Sequence, residues 1–303
     1  VTAISPAGVP LAGSPYTAGS IVNPQAVAID SVGSVWVTNF SSNTVTKLAS
    51  TGLTGVNTTA GSQVQKPGGL AIDASNTAWM TNLGGSGYPA LIDFASPTSY
   101  TTFADVSGGL DMLGGVAIDF TGHEWVTSQG GYVLEATAGT AGAPIGAGSL
   151  FAPTGVAIDS GGNAWVADAA QAVVTKIGPG GGTITQFSGG GLDGSIGIAL
   201  DGAQNVWLAN NSGVQGNYAD GLSAFNSAGT ALSTATGYSG GGLNFPYDVA
   251  VDGSGNVWAT NPDGPLNNNI VGSVTELIGA GIPVVTPIAA SLASPYTTAA
   301  SKP

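Results

Sequence analysis

Six segments of this chain repeat one short pattern, and no other feature restricts its fold as much. Val27-Ala-Ile-Asp30 recurs as Leu70-Ala-Ile-Asp73, Val116-Ala-Ile-Asp119, Val156-Ala-Ile-Asp159, Ile198-Ala-Leu-Asp201 and Val249-Ala-Val-Asp252. Six residues after each Asp stands a Trp: Trp36, Trp79, Trp125, Trp165, Trp207 and Trp258, which are all the tryptophans of the chain. A pattern returning about every 45 residues marks an array of like supersecondary units rather than one irregular core.

One unit can be built from its residues. A short apolar run ends in Asp, whose side chain bonds its own following backbone and opens a turn. Gly and Asn complete that turn, as in Gly161-Gly-Asn163. A second strand then carries the Trp among β-branched neighbours and ends in a small polar residue: Asn39, Asn82, Ser128, Asp168, Asn210 or Asn261. Third strands follow at Val45–Leu48, Val173–Ile177 and Val274–Leu277, and a weaker fourth at Thr183–Phe187. Four strands per unit at this period make the blade of a propeller. The expected fold is therefore all-β, a six-bladed β-propeller of four-stranded blades spanning residues 1–303 as one domain. The first strands carry small residues at Ala28, Ala71, Ala117, Ala157, Ala199 and Ala250. Two positions earlier stand Ala26, Gly69, Gly115, Gly155, Gly197 and Asp248. Crowding around a central axis demands small side chains there. The tryptophans are expected to pack between neighbouring blades, since a buried aromatic is first a large apolar surface.

The pattern Gly-Val-Ala-Ile-Asp-x-x-Gly-Asn-x-Trp-Val-Ala-Asp, seen at Gly155 to Asp168, resembles the NHL-repeat propellers and the related virginiamycin B lyase-type propellers. The resemblance covers nearly the whole chain and implies the fold; its shared residues build blades. It also implies what an enzyme of the lyase type would need, a His and Glu constellation with Mg²⁺. The only His here is His123, in Gly122-His-Glu-Trp125. It replaces the turn Asn between first and second strands, on the face opposite the channel mouth, and is expected to be a turn residue. No Gly-x-Ser-x-Gly elbow supports a Ser-His-Asp triad.

Composition narrows the partners. The chain has no Arg and only four Lys, with a net charge of −13. Nucleic-acid affinity rests on Lys and Arg neutralising phosphates, so nucleic-acid binding is excluded, and an anionic membrane surface is disfavoured. No apolar run approaches the ~20 residues that span a bilayer. Without Cys there is no disulfide and no thiolate metal site. Gly accounts for 50 residues and charged residues for 7%, which reads as many short turns between short strands. This acidic, Ser/Thr/Asn/Gly-rich composition fits an extracellular or cell-surface protein. Asn-x-Ser/Thr sequons stand at Asn39, Asn57 and Asn210.

The two ends duplicate one another. Val1-Thr-Ala-Ile-Ser-Pro-Ala-Gly8 matches the third-strand pattern of Val274-Thr-Glu-Leu-Ile-Gly-Ala-Gly281, and Leu11-Ala-Gly-Ser-Pro-Tyr-Thr17 matches Leu292-Ala-Ser-Pro-Tyr-Thr297. The chain thus carries six inner strand pairs and seven outer ones. Residues 1–20 and 282–303 compete for the outer strands of the closing blade. One reading is a piece of a longer repeat array, or a tail lying on the rim. The other is strand exchange, in which the surplus pair, through Leu11, Pro15, Tyr16, Leu292, Pro295 and Tyr296, adds to an open edge of a neighbouring copy. A head-to-tail contact that does not close would make a homo-oligomer or filament.

Any binding site is expected at the channel mouth, where the long second-to-third loops at 210–220 and 261–269 sit on a rigid scaffold. The candidate residues are Asn39, Asn82, Asp168, Asn210, Asp248, Asn261 and Asp263, facing a glycan or protein ligand. Asp111, Asp168, Asp193, Asp220, Asp248 and Asp263 are also an oxygen-rich set of the kind Ca²⁺ prefers, though no Asp-x-Asp-x-Asp run is present. Otherwise no cofactor is expected. Asn82, Asp168, Asn210 and Asp248 could also mimic the carboxylate and Asn metal site of gluconolactonase-like propellers, which is the enzyme alternative. Asp248 is the outlier, since the other blades have Ala or Gly at its position.

Overall fold

The computed structural model describes residue 2 and residues 14–15, 21–50, 55–57, 63–83, 91–103, 113–138, 140–211, 221–262 and 272–284. These residues form six antiparallel sheets, each built in chain order from the axis outward. Blade I comprises β1 (Pro24–Ile29), β2 (Val35–Asn39), β3 (Thr44–Leu48) and β4 (Gly55–Asn57). Blade II comprises β5 (Pro67–Ile72), β6 (Ala78–Asn82), β7 (Leu91–Ser96) and β8 (Ser99–Phe103). Blade III comprises β9 (Leu113–Ile118), β10 (His123–Ser128), β11 (Tyr132–Thr137) and β12 (Thr140–Ala141). Blade IV comprises β13 (Pro153–Ile158), β14 (Ala164–Asp168), β15 (Val173–Ile177) and β16 (Ile184–Ser188). Blade V comprises β17 (Ser195–Leu200), β18 (Val206–Asn210), β19 (Gly221–Phe225) and β20 (Tyr238–Ser239). Blade VI has three strands among the described residues: β21 (Asp248–Val251), β22 (Val257–Asn261) and β23 (Ser273–Leu277). The all-β six-bladed propeller expected from the repeat is the fold observed.

The Asp and Trp of each repeat work as one structural unit. In blade IV, Asp159 Oδ1 accepts from the backbone N–H groups of Gly161 (2.9 Å) and Asn163 (3.0 Å), while Oδ2 accepts from Trp165 Nε1 at 3.0 Å. The same carboxylate-to-indole bond joins Asp30 to Trp36, Asp73 to Trp79, Asp119 to Trp125, Asp201 to Trp207 and Asp252 to Trp258, at 3.0–3.4 Å. Burial pushes these carboxyls up, but the bonds they accept outweigh it. Asp30, Asp119, Asp159, Asp201 and Asp252 are therefore held below the usual carboxylate range. Three residues after each Asp the backbone is left-handed, at Gly33, Asn76, Gly122, Gly162, Gln204 and Gly255. Where that residue is not Gly, its side chain reaches the preceding blade: Asn76 Oδ1 accepts from Ser31 N at 2.8 Å and Gln204 Oε1 from Ser160 N at 2.7 Å.

The core lies between blades. Trp36 packs on Met80, Ile92 and Phe94 of blade II, with Leu70 and Ile72 of its first strand. Trp79 packs on Val116 and Val126, Trp125 on Val156 and Val166, Trp165 on Leu208 and Phe225, and Trp207 on Val249 and Ala259. A fourth-strand aromatic stacks on the Trp of its own blade in three cases: Phe103 on Trp79 (5.5 Å), Phe187 on Trp165 (5.6 Å) and Tyr238 on Trp207 (5.3 Å). The small residues near the axis have the steric role expected of them. A Cβ added at Gly155 would stand 2.6 Å from the carbonyl oxygen of Ile196, and one at Gly69 2.9 Å from that of Gly114.

Candidate functional site

The second-strand terminal residues expected at the mouth stand inside the blades. Asn39, Asn82, Asp168, Asn210 and Asn261 are buried. Each accepts from the chain that enters its own blade. Asn39 Oδ1 takes Val22 N (3.3 Å), Asn82 Oδ1 takes Gln65 N (2.7 Å) and Asp168 takes Phe151 N and Ala152 N (2.8 and 3.0 Å). Asn210 Oδ1 takes Asp193 N and the Ser195 hydroxyl (3.4 and 2.8 Å), and Asn261 Oδ1 takes Asn244 N (3.0 Å). These side chains clamp the link that precedes each first strand, and their placement inside the blade corrects the expectation of a polar mouth lining. The same burial takes the sequon residues Asn39 and Asn210 out of reach in the folded chain, whereas Asn57 is half-buried and accepts from the Thr46 hydroxyl at 2.6 Å.

Asp248 is placed differently. Its side chain has open surface near the axis, yet the blades crowd around it. That desolvation raises its carboxyl above the usual range, against the one bond it accepts from Val249 N at 2.9 Å. Asp168 and Asp193 are buried in separate blades, and Asp111, Asp220 and Asp263 lie outside the described residues. Among the described residues the acidic set expected for Ca²⁺ is not drawn together, and Asn82, Asp168 and Asn210 are each buried in their own blades.

The only metal-capable group of His and acidic side chains among the described residues lies on the opposite face of blade III. His123 Nδ1 is 2.8 Å from Glu135 Oε1 and 3.6 Å from Asp119 Oδ2. In blades I and IV this place is held by a lysine: Lys47 pairs with Asp30 at 2.9 Å and lies 4.7 Å over Trp36, and Lys176 pairs with Asp159 at 3.5 Å and lies 4.8 Å over Trp165. In blade III the residue opposite Trp125 is Glu135 instead, and the imidazole of His123 takes the place beside the two carboxylates that the lysine ammonium holds in blades I and IV. That is a local ion network at the start of β10, where His123 stands in the strand rather than in the turn expected of it.

The unexpected feature is the junction between blades VI and I. First strands pack against each other from β1 to β5, β5 to β9, β9 to β13, β13 to β17 and β17 to β21, with no comparable contact between β21 and β1. Val27 and Ile29 are 59% and 53% exposed, while the matching residues of the other five first strands are buried or half-buried. Trp258 is half-buried, while the other five tryptophans are buried. The hydroxyls of Thr38, Thr81 and Thr127 each donate to a carbonyl of the next blade, that of Gly68, Gly114 or Thr154, at 2.5–2.9 Å. Thr260, their counterpart in blade VI, is exposed. Among the described residues the ring is thus packed at five junctions and open at the sixth. The residue that marks this junction in the sequence is Asp248, where the other blades carry Gly or Ala.

The ends lie mostly outside the described residues. Leu11, Tyr16, Leu292, Pro295 and Tyr296 are among those not described, and Pro15 is exposed. Residues 281–284 do not pair with β23. They cross the turns of blades V and VI, with Ile282 N donating to Asp201 Oδ2 at 3.1 Å and Val284 N to the Asp252 carbonyl at 3.3 Å.

No protein-family model and no curated protein sequence matches this chain. Solved structures do. Virginiamycin B lyase from Staphylococcus aureus superimposes with a TM-score of 0.69 at 14% identity, over 84% of each chain. A protein assigned to the gluconolactonase family gives 0.58 at 15% identity, over 90% of this chain and 96% of the other. A chain of the nidogen–laminin complex gives 0.61 at 15% identity, over 76% and 84%. At such identities the likeness is one of fold. A variant of the Staphylococcus lyase with one His changed to Ala is described as catalytically inactive.

Proposed function

We propose that this chain is a non-enzymatic structural or binding propeller, extracellular or on the cell surface, that assembles head-to-tail with its own kind through the ends of the ring. The observation that carries the reading is the open junction. Val27 and Ile29 on one side and Trp258 on the other are apolar surfaces that every other junction covers, and an uncovered sheet face of this kind marks a contact site. The two faces differ from each other, so contact through them is heterologous and head-to-tail. Sedimentation velocity over a wide concentration range tests this. Association lost on deleting residues 1–18 is the expected result. A chain that stays monomeric at high concentration, or associates equally well without those residues, overturns it.

A second reading is a metal-dependent lactonase or lyase. It is favoured by the solitary carboxyl of Asp248 near the axis, raised by desolvation, and by the names of the similar structures. Against it, the single His of the chain sits at the start of β10 on the opposite face, in the Asp119–Glu135 network. Metal analysis of the purified protein, with a lactone-hydrolysis assay before and after chelation, decides it. Absence of both metal and turnover removes the enzyme. A third use, glycan or protein binding by the long mouth loops, is read by a glycan array.

A further inference from the structure

One place in the repeat is built to hold a cation. In blades I and IV the residue opposite the Trp is a lysine, and its ammonium lies by both the repeat carboxylate and the Trp ring. Lys47 Nζ stands 2.9 Å from Asp30 Oδ2 and 4.7 Å over Trp36, and Lys176 Nζ stands 3.5 Å from Asp159 Oδ2 and 4.8 Å over Trp165. Blade III keeps the carboxylate, Asp119, and the Trp, but Glu135 stands opposite Trp125. Where those two blades place a positive charge, blade III brings a second negative one.

The imidazole of His123 completes the group. Pairing sets His123 opposite Thr137 and Trp125 opposite Glu135, so His123 and Glu135 are diagonal neighbours on one face of the β10–β11 pair. His123 Nδ1 stands 2.8 Å from Glu135 Oε1 and 3.6 Å from Asp119 Oδ2, and one ligand atom from each of the three residues lies within 4.8 Å of the others. Donor atoms bound to a tetrahedral Zn²⁺ at about 2.0–2.1 Å lie about 3.3 Å apart, between the two imidazole distances. Asp119 is already aimed. Its Oδ1 accepts from Thr121 N, the Thr121 hydroxyl and His123 N at 2.6–3.0 Å, and its Oδ2 accepts from Trp125 Nε1 at 3.3 Å. Outer bonds of this kind fix the orientation of a metal ligand. The side chains of His123, Glu135 and Asp119 are 35%, 17% and 8% exposed, so solvent reaches the group.

We propose that Asp119, His123 and Glu135 bind one divalent first-row transition ion, of which Zn²⁺ is the type. His123 Nδ1 and one oxygen of each carboxylate are the protein ligands, and water completes the shell. The imidazole favours Zn²⁺ over Mg²⁺ and Ca²⁺, which take oxygen ligands, and the two carboxylates offset its charge. The ion replaces the proton shared in the 2.8 Å contact between imidazole and Glu135, and the neutral ring keeps its own proton on Nε2. It stands where the lysine ammonium stands in blades I and IV, and it ties the turn after β9 to β10 and β11. Blade VI lacks the site: Glu276 stands opposite Trp258, but Asn256 fills the place of His123 and donates to Asp252 Oδ2 at 3.0 Å. The ion lies on the face opposite the channel mouth, so it is independent of both the assembly and the lactonase readings.

The test uses the full chain without an affinity tag, stripped with a chelator and titrated by calorimetry with Zn²⁺, Mg²⁺ and Ca²⁺ in turn. His123 is the only His of the chain, so the nitrogen NMR signals of its ring report this site alone. Binding of one equivalent of Zn²⁺, a shift of the Nδ1 signal and a higher melting temperature are expected. His123→Asn and Glu135→Lys install the residues that blades IV and I carry at these places, Asn163 and Lys47, so both variants suit the blade. Each is expected to weaken Zn²⁺ binding by about tenfold or more. The site is refuted if the original chain does not saturate at one equivalent, if the Nδ1 signal stays in place, or if Mg²⁺ or Ca²⁺ binds as tightly as Zn²⁺. It is equally refuted if either variant, shown to be folded by its circular dichroism, binds Zn²⁺ as the original chain does. Zn²⁺ that is lost in His123→Asn belongs to this site and lends no support to an enzyme at the mouth.

Discussion

Removing the repeat Asp from two different blades separates the cost of the anchor from the cost of burying its Trp. In Asp159→Ala, the indole N–H of Trp165 loses its acceptor inside a fully buried pocket, and the backbone N–H of Asn163 loses its own. A buried donor left unmet costs about 1–3 kcal/mol, so the two together cost about 2–6 kcal/mol. In Asp252→Ala the same bonds are lost, from Trp258 Nε1 and Asn256 N. Trp258 is only half-buried, and water replaces the acceptor. The expected cost is therefore smaller, about 1–2 kcal/mol. Urea unfolding at neutral pH, followed by circular dichroism and Trp fluorescence together, gives both values. Equal losses would mean that Trp258 is as enclosed as Trp165, and the open junction would be wrong. A loss below about 1 kcal/mol for Asp159→Ala would mean that the carboxylate does not anchor the blade.

Four further outcomes follow from the same geometry. Asp30, Asp119, Asp159, Asp201 and Asp252 have folded values below the ordinary 3.8; the unfolded chain takes up their protons first, so their stabilisation is full above that value and lost as pH falls through the lower folded values, read by thermal melts from neutral to strongly acidic pH. Asp248 has the opposite sign: its ionised form weakens the fold above its raised folded value, so Asp248→Ala should raise the melting temperature at neutral pH, with the gain vanishing in acid. Gly155→Ala drives a Cβ to 2.6 Å from the Ile196 carbonyl oxygen, while Gly122→Ala meets nothing within 4 Å at φ +88°; the second should cost about 1–2 kcal/mol of backbone strain and the first more, in the same urea assay. Val27→Glu alters a residue already 59% exposed and should shift stability by no more than about 0.5 kcal/mol while abolishing association in the ultracentrifuge, whereas Val156→Glu, at the matching buried position, should unfold the chain.

The inner half of every blade was legible because its residues act locally. Asp, the turn and Trp make their bonds within seven residues, so their spacing survives in each repeat. The outer half was fainter. Phe103, Phe187 and Tyr238 stack on the tryptophans from fourth strands of two to five residues, reached through loops of unequal length. The polar residues ending the second strands were misplaced for a different reason. A small polar residue between a strand and a loop reads as exposed, but here the incoming link folds over it and consumes its hydrogen-bonding groups. The partner of Asn39 is Val22, seventeen residues away, and no local pattern announces that contact. His123, read as a turn residue, is the first residue of β10, and its partner Glu135 was invisible because their pairing depends on the register of β10 against β11.

The open junction explains why the count of strands at the ends matters more than the repeats themselves. A blade is asymmetric: it offers a Trp in one direction and an apolar strand pair in the other. Any row of such blades therefore ends with one face of each kind, whatever its length, and only closure or a partner removes them. Glycine permits closure, because first strands can approach until backbone touches backbone, as at Gly69, Gly115 and Gly155. Asp248 stands at the one junction where the described ring is open, with its Oδ1 bonded to Val249 N and 2.6 Å from where a Cβ on Gly197 would stand. The side chain least like its counterparts in the other blades thus coincides with the one junction that, among the described residues, is not packed.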